Sequence, residues 1–334
     1  TFTGTATNNL DYSASFDNEG KKSLIKNIGN ENYGSMQVLP DGKLVFLKER
    51  TIRIYNPEND TTIEKELSSY YDGSPLFVAL NNNILYARTN NNNINEIDIS
   101  NTDAITETPY ISAQNGISFE HHMSISGNTL IYQIYDSNDS SMRHKVFKKT
   151  GNADPERIYG GDRAYYAHVM LDEKIYAISD YDIYELIDGE YVNRIEIYNN
   201  RLNARKTIVY NNEIYSIKSE SNTIVKLDMV EEEYTMPADG STYINYNVTF
   251  EPLITEDKQI QYFNFDSIGN LVTQNSEYSN GGTSYELSEY QIIPQVTILA
   301  GQTSGSLTLN GIEDELNSPG EEEDETIILN LQEP

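Results

Sequence analysis

The chain has 334 residues and a formal net charge of −29, with 23 basic and 52 acidic side chains. A surface this acidic repels phosphate backbones, which argues against nucleic acid as a partner. Cysteine is absent, so neither disulfides nor thiolate metal sites can stabilise the fold. No apolar run reaches the roughly 20 residues of a membrane-spanning helix. The start at Thr1, without Met or a signal-peptide pattern, leads us to expect a piece of a longer, multidomain chain.

Strands are the predicted secondary structure throughout. Stretches of four to seven residues rich in Ile, Val, Tyr, Leu and Thr alternate with clusters of Asn, Asp, Gly and Ser. This alternation of β-formers with turn residues predicts an all-β protein. The 26 Tyr, with no Trp, can fill a core because Tyr buries its ring while its hydroxyl stays hydrated.

A repeated turn-then-strand unit sets the predicted architecture. The first apolar residues after the six turns are Leu44, Ile84, Leu130, Ile175, Ile214 and Leu271, at intervals of 40, 46, 45, 39 and 57 residues. Four short strands every ~40–45 residues is the period of a propeller blade. One blade cannot bury both of its faces, so blades must stack around an axis. The repeat therefore predicts a β-propeller of about six blades, with unrelated hairpins in a sandwich as the alternative.

The ring is expected to close with strands from both ends of the propeller. Residues 23–28 resemble a fourth strand without its own first three, and residues 261–287 supply three strands without a fourth. Together they predict one closing blade. The 57-residue interval is the irregular one, and residues 232–258 are expected to form an enlarged outer strand or an extra hairpin.

The two ends of the chain carry a different pattern. Residues 296–309 alternate with period two around an Ala-Gly turn, and two acidic clusters and a last strand at 326–331 follow. This closely resembles the second half of a Calx-beta domain, an immunoglobulin-like sandwich common in extracellular bacterial proteins. Near the beginning, Gly4-Thr5-Ala6 followed by Asp11-Tyr12 resembles a motif from the middle of the same family.

Two domain arrangements fit this resemblance. In the favoured one, residues 1–19 and 294–334 are partial halves of a Calx-beta-like sandwich and residues 20–293 are a propeller inserted in one of its loops. Insertion is tolerated when the termini of the inserted domain lie close together. In the alternative, a propeller over 20–231 precedes a Calx-beta-like domain over 233–334.

A calcium site is predicted in the acidic tail. By the resemblance, Glu313 and Asp314 fall on the family's Asp-Asp turn, and Glu322 and Glu325 fall on its Glu-x-Asp-Glu positions. Calcium takes six to eight oxygen ligands, many from carboxylates. The turn here is elongated and begins with Glu instead of Asp, which weakens the match. The alternative is a solvated acidic loop.

The candidate ligand-binding residues of the propeller are aromatic or imidazole side chains near the inner strands. They are Tyr70, Tyr71, His122, Tyr165, Tyr166 and His168. Exposed rings on a propeller face can stack on sugars or anchor a protein partner. The two histidines would approach the axis and bind a metal or act as a base. The alternative for the tyrosines is packing between blades, and the alternative for the histidines is packing between blades or exposure to solvent.

The resemblance and the pattern together predict a non-enzymatic, extracellular or cell-surface module of a bacterial adhesin-type protein. In this hypothesis calcium stiffens the sandwich and the propeller presents a face to a cell-surface glycan or protein. A propeller glycan lyase or hydrolase is the second hypothesis, with His122, His168 and Asp162 as its candidate site residues. A purely architectural spacer is the third.

Overall fold

The computed structural model describes residues 22–30, 32–71, 78–112, 115–161, 167–197, 201–235, 242–266, 269–279 and 282–290. They form 23 strands and one short 3₁₀ helix, Ala204–Lys206. The two predicted sandwich segments, 1–19 and 294–334, lie outside the described residues, so the Calx-beta part of the fold stays a prediction. Within the described ranges no helix is long and apolar enough to cross a membrane.

The strands form six separate sheets, which are the blades. Blade 1 contains β2 (Ser35–Val38), β3 (Leu44–Asn56) and β4 (Thr61–Tyr71). Blade 2 contains β5 (Val78–Asn81), β6 (Ile84–Arg88), β7 (Asn93–Asp98) and β8 (Thr106–Ser112). Blade 3 contains β9 (Ile117–Ser126), β10 (Thr129–Asp136), β11 (His144–Thr150) and β12 (Glu156–Gly161).

Blade 4 contains β13 (Ala167–Leu171), β14 (Lys174–Ile178), β15 (Asp182–Ile187) and β16 (Glu190–Glu196). Blade 5 contains β17 (Ile208–Tyr210), β18 (Glu213–Lys218), β19 (Thr223–Thr235) and β20 (Thr242–Thr255). Blade 6 contains β21 (Gln259–Phe265), β22 (Leu271–Ser279) and β23 (Gly282–Tyr290), together with β1 (Lys22–Gly29). The prediction of an all-β, six-bladed propeller is confirmed.

Each predicted repeat anchor lies at or next to the beginning of the second strand of a blade. The irregular 57-residue interval also has a structural cause. In blade 5, β19 and β20 pair from Thr223↔Thr255 out to Thr235↔Thr242, so this hairpin is longer than its counterparts. The expectation of an enlarged outer strand in this region is therefore correct.

The ring closes through its first strand. β1 is the outermost strand of blade 6 and pairs antiparallel with β23, from Lys22↔Tyr290 to Gly29↔Tyr285. This is the closing blade that the sequence predicts. Because β20 completes blade 5 and β21–β23 belong to blade 6, a propeller that ends at residue 231 is wrong.

The short turns after the inner strands explain the Asn and Asp clusters. Asp172 and Glu173 have φ of 46° and 67°, and Asn211 and Asn212 have φ of 47° and 61°. Two successive positive φ angles are typical of the two-residue hairpin turn that matches strand twist. Asn and Asp tolerate this conformation better than most residues, which explains their use here.

The core is divided among the interfaces between blades. Phe46 and Leu44 of blade 1 pack with Val272 and Leu287 of blade 6, and all four are nearly or fully buried. Similar apolar clusters lie between other neighbouring blades. Residues of the innermost strand of every blade also line a space at the axis of the ring, which we call the channel.

Candidate functional site in the central channel

The channel holds a cavity of about 640 Å³ to which all six blades contribute. Pockets of about 300–1,000 Å³ are typical of small-molecule sites. Residues at the turns after inner strands line the cavity too, among them Pro40, Asn82 and Asn211, so it extends to the face of the ring that these turns form. Its polar and aromatic lining includes Gln37, Asn82, Lys206, Thr207, Tyr210, Asn211, Gln261, Tyr262, Asn264 and Asp266.

Lys206 is the distinctive group of this cavity. It ends the 3₁₀ helix before β17, and it is the only basic side chain among the described residues that line the channel. Its Nζ donates a hydrogen bond to the backbone carbonyl of Ile260 in blade 6. Burial lowers the pKa of Lys206 to about 8, because an ammonium loses hydration there. A lysine with this pKa is partly neutral near physiological pH and can then accept a proton.

Amide and hydroxyl groups surround this part of the channel. The Nδ2 of Asn264 donates to the Oε1 of Gln37 at 2.9 Å, which joins blade 6 to blade 1. The hydroxyl of Tyr210 donates to the backbone carbonyl of Asp266 at 3.2 Å, and its ring stacks on Phe265 with centroids 4.5 Å apart. Amides with neighbouring aromatic rings suit a ligand that has hydroxyl groups and apolar faces.

His168 lies away from this site. It is 1 % exposed in β13, and its Nε2 lies 2.8 Å from the hydroxyl of Tyr191 in β16. Its ring is therefore packed between blades 3 and 4, and it is not among the side chains that line the cavity. The interpretation of His168 as a group at the axis is wrong, because its position on β13 directs the ring into the interface. The side chain of His122 in β9 and all of Asp162 lie outside the described residues.

The predicted tyrosines also differ in their positions, and two of them are described by the structure. Tyr71 is fully buried, and its hydroxyl donates to Glu107 at 2.5 Å, so its ring is not an exposed stacking surface as the sequence suggests. Burial and the neighbouring carboxylate also raise the pKa of Tyr71. Tyr70 is 41 % exposed, and its role as a ligand contact stays a prediction. Tyr165 and Tyr166 lie outside the described residues.

A second polar cluster lies on blade 3. The Oε2 of Glu120 is 2.6 Å from the Nδ1 of His144 and accepts a hydrogen bond from the Nε2 of Gln133 at 2.8 Å. A carboxylate at this distance favours the tautomer with the proton on Nδ1. These three residues do not line the central cavity.

The predicted calcium ligands cannot be placed. Glu313, Asp314, Glu322 and Glu325 lie outside the described residues, so the site stays a prediction. Within the described part of the chain, no group of three or more His, Cys, Asp or Glu side chains is arranged to hold a metal ion.

No protein-family model and no curated protein matches the sequence. Among solved structures, a gluconolactonase from Xanthomonas campestris matches with a TM-score of 0.54 at 10 % identity, over 84 % of this chain and 96 % of that one. Regucalcin from Agrobacterium tumefaciens, described as a calcium-binding protein, matches with a TM-score of 0.48 at 10 % identity, over 83 % and 96 %. An oligogalacturonate lyase from Vibrio parahaemolyticus matches with a TM-score of 0.42 at 10 % identity, over 79 % and 76 %.

The match to the gluconolactonase places the described part of the chain in the class of β-propellers, and at 10 % identity it establishes the fold alone. It also corrects one prediction. The inference that the chain is not an enzyme is contradicted, because a gluconolactonase has the same fold. Propeller architecture accompanies many unrelated functions, so the choice depends on the site.

Sequence reasoning missed Lys206 and the channel amides. The pattern identifies residues 206–210 as an inner strand, and a lysine that begins a strand otherwise made of Thr, Ile, Val and Tyr was the available signal. The contact of Lys206 with Ile260 joins residues 54 positions apart, so no local pattern predicts it.

Proposed function

We propose that this chain is a propeller hydrolase that cleaves a neutral, polyhydroxylated ester or lactone in its central channel, with Lys206 as the general base. The observation that carries the proposal is the partly buried Lys206 among the residues that line a cavity of about 640 Å³, with the pKa of its amine lowered to about 8. Lowered lysine pKa values in a cleft are typical of groups that transfer protons.

The chemistry follows from the protonation state of the amine. Neutral Lys206 would take a proton from a water molecule as its oxygen attacks the substrate carbonyl carbon. The carbon–oxygen bond of the ester then breaks, and the ammonium returns the proton to the leaving oxygen. The amides of Asn264 and Gln37, which bond each other in the channel, would exchange that bond for hydrogen bonds to the hydroxyl groups of the substrate. The net charge of −29 disfavours anionic substrates such as polyuronates, which supports a neutral one.

The test uses glucono-1,5-lactone and p-nitrophenyl acetate as probes, corrected for spontaneous hydrolysis. We expect hydrolysis above background that increases with pH and reaches half of its maximum near pH 8, because the base must be neutral. Lys206→Met should lower the rate at least about a hundredfold. Lys148→Met, which removes a lysine on β11 outside the cavity, is the matched control and should leave the rate unchanged. Equal rates in wild type and Lys206→Met, or a flat profile between pH 7 and 9, would refute the proposal.

The cellular location of the protein, its calcium site and its partner form a separate part of the proposal. The resemblance of the flanking segments to Calx-beta sequences supports an extracellular or cell-surface location, with calcium at Glu313, Asp314, Glu322 and Glu325. A cell-surface glycan, or a protein that carries one, is then the partner that delivers a neutral sugar ester to the channel. Strong acidity agrees with a protein that stays soluble outside the cell.

Calcium binding is tested by thermal unfolding of the full chain with calcium and with a chelator. A ligand at about 100 times its Kd stabilises the folded state by about 2.7 kcal/mol. We therefore expect a calcium-dependent rise in Tm that is absent in the Glu313→Ala/Asp314→Ala variant. Equal Tm values with calcium and chelator would contradict the proposed calcium site and leave the channel proposal untouched.

A further inference from the structure

The two sides of the channel differ in chemistry. Blades 1, 5 and 6 contribute most of the polar lining residues, among them Lys206, Gln37, Asn264 and Tyr210, together with apolar ones such as Val38, Ile208 and Phe263. From blades 3 and 4 the cavity is lined by Met123, Ser124, Ile125, Gly127 and Met170. The contributions of blades 2, 3 and 4 include no charged side chain among the described lining residues.

The side of blades 3 and 4 has few polar lining side chains. Ser124 is the hydroxyl residue there, and its Oγ donates to the backbone carbonyl of His168 at 2.5 Å. The remaining lining side chains from these two blades are two thioethers and an aliphatic group, from Met123, Met170 and Ile125. Met is unbranched and polarisable, so it adapts to irregular apolar shapes such as a flexible alkyl chain.

The distribution of polar and apolar residues around the channel fits a ligand with one polar and one apolar end. Amides and hydroxyls on one side satisfy the hydrogen bonds of a sugar or lactone. Thioethers and aliphatic groups on the other side offer no hydrogen bond of comparable strength, so a polar group placed there would lose its hydration without compensation. A cavity of about 640 Å³ has room for both parts of a small amphiphile.

We propose that the channel binds a neutral amphiphile, with a sugar-like or lactone head against blades 1, 5 and 6 and a linear alkyl or acyl chain against Met123, Ile125 and Met170. This inference rests on the proposed function in taking the channel as the site, and it narrows the substrate class to acylated neutral sugars and lactones. The apolar side then selects for chain length, and the polar side selects the head.

The experiment measures binding without hydrolysis. Methyl, hexyl and octyl β-glucoside, each below its micelle concentration, are titrated into the full chain by calorimetry. Burying one methylene is worth about 0.8 kcal/mol, which is roughly a threefold to fourfold gain in affinity. We expect one octyl glucoside per chain and roughly tenfold tighter binding of octyl than of hexyl glucoside.

Two methionine variants test where the alkyl chain of the glucoside binds. Met170→Gln replaces a thioether in the cavity with an amide of similar length and should reduce the octyl-to-hexyl affinity ratio to about threefold or less. Met142→Gln is the matched control, because Met142 is 37 % exposed and lies outside the cavity, and the ratio should stay unchanged. Equal affinities across the three glucosides in the wild-type chain would overturn the inference, whether or not the Met170 variant folds.

The results also separate this inference from the proposed hydrolase. A chain-length gradient without any hydrolysis of the lactone or ester probes would support the amphiphile site and refute the hydrolase. Hydrolysis that depends on Lys206, without a chain-length gradient, would support the hydrolase and overturn the amphiphile site. A gradient that persists in Met170→Gln as in Met142→Gln would show that the alkyl chain binds outside the channel and would also overturn the inference.

Discussion

Replacing Leu287 with alanine is expected to lower the free energy of unfolding by about 2–5 kcal/mol, the range for truncating a fully buried Leu. Leu287 lies on β23 of the closing blade and is 0 % exposed. It packs with Phe46, Leu44 and Val272 at the interface with blade 1. The substitution leaves a cavity between blade 1 and blade 6, which contains the first and last of the described strands.

The opposite face of the closing blade explains why this interface matters. Thr273, Asn275 and Ser288 are fully buried on the face toward blade 5. Each carries side-chain atoms that accept or donate no hydrogen bond within the described part of the chain. A buried polar group without a partner costs about 1–3 kcal/mol. These groups therefore cancel part of the stabilisation that apolar packing provides on the face toward blade 5. Among the described residues of blade 6, one such atom, the Oε1 of Gln274, lies on the face toward blade 1, so we expect the apolar packing there to contribute more to ring closure.

Urea unfolding of the full chain measures the effect. Leu24→Ala is the matched control, since Leu24 lies on β1 of the same blade and is 60 % exposed. The control should change the free energy of unfolding by no more than about 0.5 kcal/mol. If Leu287→Ala were as stable as Leu24→Ala, ring closure would not depend on the packing between blades 6 and 1.

Replacing Glu107 with glutamine should remove about 1.5–3 kcal/mol of stability at pH 7, the usual range for hydrogen bonds to a charged group. Glu107 of β8 accepts from the backbone N–H groups of Ser68 and Ser69 at 2.6 and 3.3 Å and from the hydroxyl of Tyr71 at 2.5 Å. One carboxylate therefore holds the end of β4, the last strand of blade 1, against blade 2.

The pH dependence of this effect has a definite sign. Burial alone would raise the pKa of Glu107, but the hydrogen bonds from Ser68, Ser69 and Tyr71 outweigh burial and hold the pKa below its ordinary value of 4.5. A carboxylate with a lowered pKa in the folded state stabilises the fold above its unfolded pKa. That stabilisation is lost as the pH falls through the folded pKa. The difference between wild type and Glu107→Gln should thus persist at pH 7 and shrink below about pH 4.

Urea unfolding at pH 7 and at pH 3.5 tests both statements. Glu66→Gln, on the exposed side of β4, is the control and should change stability by no more than about 0.5 kcal/mol at either pH. A Glu107→Gln effect of the same size at both pH values would mean that the charge of Glu107 contributes nothing.

The architecture of the propeller follows from local sequence patterns. Turn residues such as Asp172 and Asn211 adopt positive φ, and a β-forming stretch comes directly after each turn. Both signals depend on a few neighbouring residues, so they can be recognised without the fold. The closing blade was predictable for a related reason: an unmatched strand at 23–28 and an incomplete blade near 261–287 need each other to bury their faces.

The candidate site could not be predicted in this way. The sequence interpretation favoured His168 and Tyr71 because histidine and exposed tyrosine are common functional groups. The fold places both between blades, where the hydroxyl of Tyr191 lies 2.8 Å from the Nε2 of His168 and Glu107 accepts a hydrogen bond from Tyr71. Strand alternation says that neighbouring residues face opposite sides, but it does not say which side faces the channel.

The sequence by itself determined the all-β class, the number of blades and the way in which the ring closes, because periodicity and turn chemistry are local properties. Only the tertiary structure decided which side chains meet at the axis. Lys206 has a lowered pKa because blade 5 and blade 6 bury it beside Ile260, and Asn264 meets Gln37 across more than 200 residues of chain. Burial and electrostatic environment depend on every blade that surrounds a group, and the shape of the ring assembles that environment.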